Sequence, residues 1–191
     1  MSATTFLPDY ERYDGLGLAG LVKDGTVSTS ELLEAAIERV EQRNPTVNAV
    51  VDRMYDRAKA AIAAGLPSGP FSGVPYLLKD IGPLYAGTIT TMGSSAFRKF
   101  VPDQDSEMVV RLRQAGLVIL GKTHTPEFGL STSSESRLFG ATHNPWNLEY
   151  SAGGSSGGSA AAIASGMVPM AYANDGGDRS VSPPRAVACS A

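Results

Sequence analysis

The sequence predicts an α/β protein, because predicted helices and short apolar runs alternate and glycines separate them. Residues 74–79 (VPYLLK) and 117–120 (LVIL) are short apolar runs typical of buried strands. A helix is predicted over residues 105–113, with Asp105 as its cap, and Gly116 follows it directly before the second run. A helix, a glycine and an apolar strand in succession are typical of α/β folds.

The first predicted helix begins at Ser28, because Ser28 and Glu31 have the spacing of a capping box. Its apolar face has helical spacing and consists of Leu32, Leu33, Ala36, Ile37 and Val40. We expect it to end at Asn44, since a residue before proline disfavours helical backbone. A second helix is predicted over residues 51–64, and a loop rich in proline and glycine follows at residues 65–73.

The later part of the chain contains a loop, a Gly/Ser run, a helix and a strand. Residues 131–150 are predicted to be loop, and residues 153–159 (GGSSGGS) precede an alanine-rich helix that ends at Gly166. A strand is predicted over residues 167–173. The Gly/Ser run has the composition of a flexible linker. It also has the composition of a turn that presents N–H groups to a ligand at a helix N-terminus. Neither nucleotide-binding glycine motif is present, which disfavours a phosphate cradle.

Composition excludes several functional classes. The 191 residues carry a net charge of −3, which argues against binding to nucleic acid or to anionic membranes. One cysteine, Cys189, excludes an intrachain disulfide framework, and two histidines disfavour a metal site. No apolar run reaches the roughly 20 residues that span a bilayer, and the N-terminus lacks signal-peptide features. We expect a cytoplasmic protein; its oligomeric state is left open.

Lys79 is the candidate base for activating a serine. A serine hydroxyl needs a neighbouring base to become a good nucleophile. His124 and His143 lie in polar segments, where packing in a loop or at the surface is the simpler interpretation. Lysine can serve instead when its surroundings disfavour its charge. Lys79 closes an apolar run, and composition alone favours the alternative that its amine reaches water at the strand end.

Four motifs occur in order along the chain and together carry a family resemblance. They are GVPYLLKD (73–80), GKTHTPEFG (121–129), GATHNPWN (140–147) and SAGGSSGGSAAA (151–162). In the sequences of these motifs and in their spacing, the chain resembles the amidase signature family over about residues 15–177. The resemblance implies an α/β fold with a mixed central sheet flanked by helices, in one domain more than twice this length. It also implies hydrolysis of carboxamides without a metal or other cofactor.

The resemblance implies a Ser–cis-Ser–Lys triad. Lys79 matches the catalytic lysine, and Ser155 matches the bridging serine, which follows a cis peptide bond. Lys79 would take the proton of a nucleophilic serine through the Ser155 hydroxyl, and an acyl-enzyme would form. The main chain of Gly176 and Gly177 would bind the oxyanion.

The family pattern also marks supporting positions around the triad. The resemblance implies that Ser156, Ser159 and Asp80 lie around the catalytic residues. His124 stands where the family usually has asparagine, which we interpret as tolerated variation.

The nucleophilic serine is missing from its expected position. The family motif D-x-G-G-S-[IV]-R-[IFV]-P-[AS] would place it at residue 179, which is Arg179. Ser180 lies one residue later in different surroundings. We do not expect it to substitute, because a misplacement of about 1 Å already costs about a hundredfold in rate.

A change of reading frame accounts for this departure. When the possible codons are read from the third base of the Gly177 codon, they can encode Gly-Ser-Ile-Arg-Ile-Pro-Ala-Ser, which restores the family motif. We therefore predict that residues 1–177 are the N-terminal part of a single amidase-signature domain and that residues 178–191 are translated out of frame. The tail has no helical or strand periodicity, and Pro183 and Pro184 would interrupt either element.

Two functional hypotheses follow. The first is a hydrolase that cleaves the C–N bond of a small-molecule carboxamide. The second is a catalytically dead remnant that retains the lysine and the bridging serine without a nucleophile. A glycine-rich nucleotide-binding module is a third possibility, which the missing motifs disfavour.

Overall fold

The structure of the protein, a computed structural model, describes residues 10–174. Its strands are β1 (Val50–Arg53), β2 (Pro75–Lys79), β3 (Val118–Thr123), β4 (Glu135–Ser136), β5 (Gly140–Ala141), β6 (His143–Asn144), β7 (Asn147–Ser151) and β8 (Met170–Ala171). The main sheet has the order β1-β3-β2-β8, with β2 parallel to both β3 and β8 and with β1 antiparallel to β3. The predicted α/β class with a mixed sheet is confirmed.

Five α-helices lie in the described part of the chain. They are α1 (Gly15–Lys23), α2 (Thr29–Val47), α3 (Tyr55–Ala63), α4 (Glu107–Gln114) and α5 (Gly157–Ala164). Helices α2, α3 and α5 pack against the main sheet. Every residue of β2 and β3 is buried, as expected for parallel strands with covered faces. The core is aliphatic and includes Leu32, Leu33, Val40, Leu77, Leu78, Val118, Leu120, Ala161 and Met167.

Helix α2 begins as predicted and ends later than predicted. The Ser28 hydroxyl accepts a hydrogen bond from the Glu31 N–H (3.2 Å), and the Glu31 carboxylate accepts one from the Ser28 N–H (2.8 Å). The predicted end at Asn44 is wrong, because the helix continues through Pro45 to Val47. It stops at Asn48, which adopts the left-handed conformation with φ 54°. Pro45 has no N–H to donate to the Glu41 carbonyl, so the last turn of the helix forms with one hydrogen bond fewer.

The Asn44 side chain fixes the start of strand β1. Its Oδ1 accepts hydrogen bonds from the N–H groups of Ala49 (2.8 Å) and Val50 (2.7 Å), and its Nδ2 donates to the Val50 carbonyl (2.9 Å). The predicted helix over residues 51–64 is therefore wrong in its first part. Residues 50–53 pair with β3 instead, and the helix starts at Tyr55.

Other element boundaries also differ from the predictions. Ser106, not Asp105, is the N-cap of α4. The Asp105 carboxylate instead accepts a hydrogen bond from the Ala86 N–H (2.8 Å) and pairs with Arg113 (2.9 Å). The predicted loop over residues 131–150 contains two short antiparallel hairpins, β4–β5 and β6–β7. Strand β8 is confirmed, although it spans only two residues of the predicted run.

His124 packs in the interior and joins β3 to the β4–β5 hairpin. Its Nδ1 lies 2.7 Å from Thr142 Oγ1, and its Nε2 lies 2.8 Å from Ser136 Oγ. Because the Thr142 hydroxyl donates to the Asn48 carbonyl (2.8 Å), Nδ1 must carry the hydrogen and Nε2 must accept from Ser136. Burial lowers the pKa of His124 to about 4. The histidine is therefore neutral near pH 7 and serves in loop packing.

Replacement of Asn44 tests its role at the α2–β1 junction. Asn44→Ala leaves three buried main-chain groups without their partner, so we expect a loss of about 3 kcal/mol in the free energy of unfolding. Urea denaturation followed by circular dichroism measures this loss. Gln42→Ala, an exposed change in the same helix, should change the stability by less than about 0.5 kcal/mol. Equal effects of the two substitutions would contradict this role.

The neutral state of His124 makes stability depend on pH. The unfolded histidine binds a proton near pH 6.5, whereas the folded one binds it near pH 4. Stability therefore falls as the pH falls below about 6.5, and His124 should contribute a loss of about 2 kcal/mol between pH 7.5 and pH 5. Urea denaturation of the protein and of His124→Asn at both pH values isolates this contribution. An unchanged pH dependence in the variant would disprove it.

Candidate functional site

The candidate site lies at one edge of the main sheet. Strands β2, β3 and β8 are parallel, so their carboxyl ends meet at this edge. Lys79 is the last residue of β2 and pairs with Thr123, the last residue of β3. Asn174 follows β8 on the same side, and the N-terminus of α5 brings Ser155 and Ser156 to it. Ligand sites in open α/β sheets commonly form at such edges.

The amine of Lys79 is buried and hydrogen-bonded. The side chain is 1% exposed, so the alternative that it reaches water at the strand end is wrong. Its Nζ donates to three oxygens, namely Ser155 Oγ (2.8 Å), Asn174 Oδ1 (2.8 Å) and Ser156 Oγ (3.0 Å). A buried amine must have such acceptors, because its removal from water is otherwise costly.

Ser155 and Ser156 are fixed by their neighbours. The peptide bond between Gly154 and Ser155 is cis, in the position that the resemblance implies. The Thr125 hydroxyl donates to the Ser155 carbonyl (3.2 Å). The Ser156 hydroxyl donates to the main-chain carbonyl of Asn174 (3.2 Å). Both serines therefore present their hydroxyl oxygens to Lys79 from a closely bound segment.

Ser159 connects α5 to two parallel strands. Its hydroxyl donates to the Tyr172 carbonyl (2.6 Å), just after β8, and lies 2.7 Å from Thr123 Oγ1 at the end of β3. The Thr123 hydroxyl lies 3.2 Å from the Leu78 carbonyl on β2. Ser159 thus holds the first turn of α5 over the sheet edge.

The Gly/Ser run is a closely packed turn, so the flexible-linker interpretation is wrong. A Cβ at Gly158 would lie 2.5 Å from both the main-chain nitrogen and the carbonyl oxygen of His124. A Cβ at Gly154 would lie 2.7 Å from the Ser133 main-chain nitrogen. Such distances require glycine, because they leave no room for any side chain.

Asp80 fastens the loop that follows Lys79. Its carboxylate accepts hydrogen bonds from the Thr91 N–H (3.1 Å) and from the Thr91 hydroxyl. Burial raises the pKa of Asp80, while the hydrogen bonds and the nearby Lys122 oppose that shift. Lys122 on β3 holds the same loop, because its amine donates to Thr90 Oγ1 (2.7 Å) and to the Ile89 carbonyl. Burial lowers the pKa of Lys122, and the carboxylates of Asp80 and Asp52 oppose this.

Sequence reasoning missed three of these residues. Asn174, Thr125 and Lys122 contact the site or the loop beside it, and none of them was a candidate. Asn174 had one available signal, since it follows a predicted strand directly before the Asp-Gly-Gly segment at residues 175–177.

Some predicted site residues cannot be compared with the structure. Gly176, Gly177, Arg179 and Ser180 lie outside the described residues. Within residues 10–174, no group of histidine, cysteine and carboxylate side chains has an arrangement that could hold a metal ion. None of the described helices combines the length and apolarity needed to cross a membrane.

Sequence comparison relates the chain to amide hydrolases. The chain is 46% identical over 164 residues to a 6-aminohexanoate-cyclic-dimer hydrolase of Paenarthrobacter ureafaciens, which covers 85% of this chain and 33% of that protein. It is 39% identical over 170 residues to a lipoamidase of Enterococcus faecalis, covering 88% and 23% respectively. The chain thus spans about a third or less of the length of these relatives.

Solved structures agree with this relationship. A 6-aminohexanoate cyclic dimer hydrolase superimposes with a TM-score of 0.83 at 44% identity, over 86% of this chain and 34% of that one. A bacterial aryl acylamidase of the amidase signature family superimposes with a TM-score of 0.77 at 35% identity, over 83% and 34%. The family model described as Amidase matches residues 31–187. With four motifs in order, the expected fold and this match, the chain belongs to the amidase family.

Proposed function

We propose that the chain is the N-terminal part of a hydrolase that cleaves a carboxamide C–N bond through a Ser–cis-Ser–Lys triad. The observation that carries this proposal is the 2.8 Å hydrogen bond between Lys79 Nζ and Ser155 Oγ in a buried site. Burial supports the proposed role, because it keeps bulk water away from the amine, whose partners are then protein oxygens that include Ser155 Oγ.

The proposed reaction passes a proton along these two residues. A nucleophilic serine attacks the amide carbonyl carbon and gives its hydroxyl proton to Ser155 Oγ, and Ser155 gives its own proton to Lys79 Nζ. The C–N bond then breaks, the nitrogen takes a proton by the same route, and the amine leaves an ester on the enzyme. Water cleaves that ester with the same base. The main chain of Gly176 and Gly177 is the proposed oxyanion site, and such donors are worth about 3–4 kcal/mol.

The proposed substrate is a small-molecule carboxamide. The relatives with assigned activities are named as a cyclic-dimer hydrolase, a lipoamidase and an aryl acylamidase, so cyclic, linear and aryl amides are all candidates. We propose a cytoplasmic location and no nucleic acid or membrane partner, in keeping with the net charge of −3.

We also propose that a chain with this 191-residue sequence does not hydrolyse amides. Arg179 occupies the position of the nucleophile, and the codons beyond Gly177 can encode the family motif in another frame. Residues 178–191 are then the product of a net one-base deletion, either in the gene itself or in its determined nucleotide sequence. The family match extends to residue 187, ten residues into this segment, so the DNA sequence is the decisive measurement.

Sequencing of the gene from the codon of Gly166 to about 900 bases downstream tests the frame change. We expect a second frame that encodes Gly-Ser-Ile-Arg-Ile-Pro-Ala after Gly177 and stays open. A downstream sequence without that motif in any frame would disprove the frame change. An extra base in the new read would show that the gene encodes the longer hydrolase, and a confirmed deletion would identify a disrupted gene.

Amide turnover tests the function. We expect the 191-residue chain to release no amine above background from a cyclic, a linear or an aryl amide. The frame-restored protein should hydrolyse at least one of them, and Lys79→Ala or Ser155→Ala should lower its rate at least about a thousandfold. Lys99→Ala is the matched control, because Lys99 is exposed and should retain full activity. An active frame-restored protein that tolerates Lys79→Ala would contradict the triad.

A further inference from the structure

Asn174 contacts both the amine of Lys79 and the hydroxyl of Ser156. Its side-chain Oδ1 accepts from Lys79 Nζ (2.8 Å), and its main-chain carbonyl accepts from the Ser156 hydroxyl (3.2 Å). We propose that Asn174 is a positioning residue that turns the lone pair of the Lys79 amine towards Ser155. The proposal rests on the proposed function and deepens it, since it selects which serine relays the proton.

The Asn174 side chain holds one N–H of Lys79 in either protonation state. A carbonyl oxygen of an amide can only accept a hydrogen bond. A neutral amine still has two N–H groups, and a protonated one has three. One N–H therefore points at Asn174 Oδ1 before and after the lysine takes a proton, and the lone pair of the neutral amine cannot lie there.

The Asn174 main chain fixes the role of Ser156. Because the Ser156 hydroxyl gives its hydrogen to the Asn174 carbonyl, its oxygen faces Lys79 as an acceptor. The second N–H of the neutral amine is directed to this oxygen at 3.0 Å. Ser156 therefore supports the lysine without supplying a proton to it.

The remaining direction of the amine leads to Ser155. Among the three oxygens of residues 155, 156 and 174 that accept from Nζ, Ser155 Oγ at 2.8 Å is the one whose hydrogen can turn to the lone pair. Without the side chain of Asn174, the amine can rotate about its Cε–Nζ bond, and its lone pair can face Ser156. The hydrogen of Ser156 leads to a main-chain carbonyl, so this arrangement carries no proton from a nucleophile.

The amide of Asn174 is itself confined. A Cβ at Gly82 would lie 3.3 Å from Asn174 Nδ2, and Gly82 has φ +103°, a conformation that favours glycine. The glycine therefore leaves just enough room for the amide beside the loop that follows β2. The amide nitrogen thus lies beside Gly82, and Oδ1 accepts the hydrogen bond from Lys79 Nζ.

The test is a titration of Lys79 by NMR in the 191-residue protein, with ¹³C at the lysine Cε. The Lys79 signal is assigned from its loss in Lys79→Arg. In Asn174→Asp the acceptor stays in place and gains a negative charge, so the Lys79 pKa should rise by at least about 1 unit. In Asn174→Leu the acceptor is lost, so the Lys79 pKa should fall by about 1 unit. The matched control is Asn147→Asp, the same change at an exposed position, which should leave the titration unchanged.

The outcomes separate this proposal from the proposed function. Within residues 10–174, the titratable side chains other than Lys79 that lie on β2 or β3, or directly after β2, β3 or β8, belong to Tyr76, Asp80, Lys122, His124 and Tyr172. All of them are unchanged in these variants. Shifts of opposite sign in the two Asn174 variants support the positioning role, which a purely structural effect would not produce. A folded Asn174→Asp protein whose Lys79 pKa equals that of the parent would overturn it, even if Asn174→Leu does not fold. The titration needs no turnover, so an inactive protein leaves this result interpretable.

Discussion

The buried amine of Lys79 is the constraint on which the site depends. Strand β2 is buried along its length, so a lysine at its end cannot reach water and must find acceptors inside the protein. The acceptors come from the N-terminus of α5 and from the segment after β8. Three segments that are distant in sequence are therefore fixed to one another by a single side chain. The close approach of Gly158 to β3 is a consequence of the same arrangement.

Polar residues at the carboxyl ends of β3 and β2 hold the surrounding loops in a similar way. His124 binds the β4–β5 hairpin through two hydroxyls, and Asp80 and Lys122 together bind the loop at residues 89–91. These residues are buried, so each hydrogen bond also satisfies a group that would otherwise destabilise the fold. These contacts hold the residues at the edge of the sheet in one arrangement, which the proposed proton relay requires.

Local patterns predicted part of this structure. The apolar runs at β2 and β3 and the capping box of α2 depend on neighbouring residues, and each was found in the sequence. Strand β1 was missed because Asn44 and β3 supply its hydrogen bonds, and its own residues resemble the helix that follows.

Patterns along the sequence also predicted only part of the candidate site. The family motifs identified Lys79 and Ser155 as candidates, but Asn174 stands outside those motifs. Its importance depends on the parallel pairing of β8 with β2, which brings residues 95 positions apart into contact. A pattern read along the chain cannot show such a pairing.

The proposed frame change would remove the nucleophilic serine and leave unchanged the part of the site that the structure describes. Within the described residues, Lys79 contacts Ser155, Ser156 and Asn174, all of which precede the proposed break. A shift of one residue moves a side chain by about 3.3–3.8 Å along the backbone. A displacement of that size exceeds the length of a hydrogen bond, so a serine one residue late is not expected to replace the nucleophile of the proposed relay. The part of that relay within residues 10–174 is therefore in place in a chain that has arginine at the expected nucleophile position.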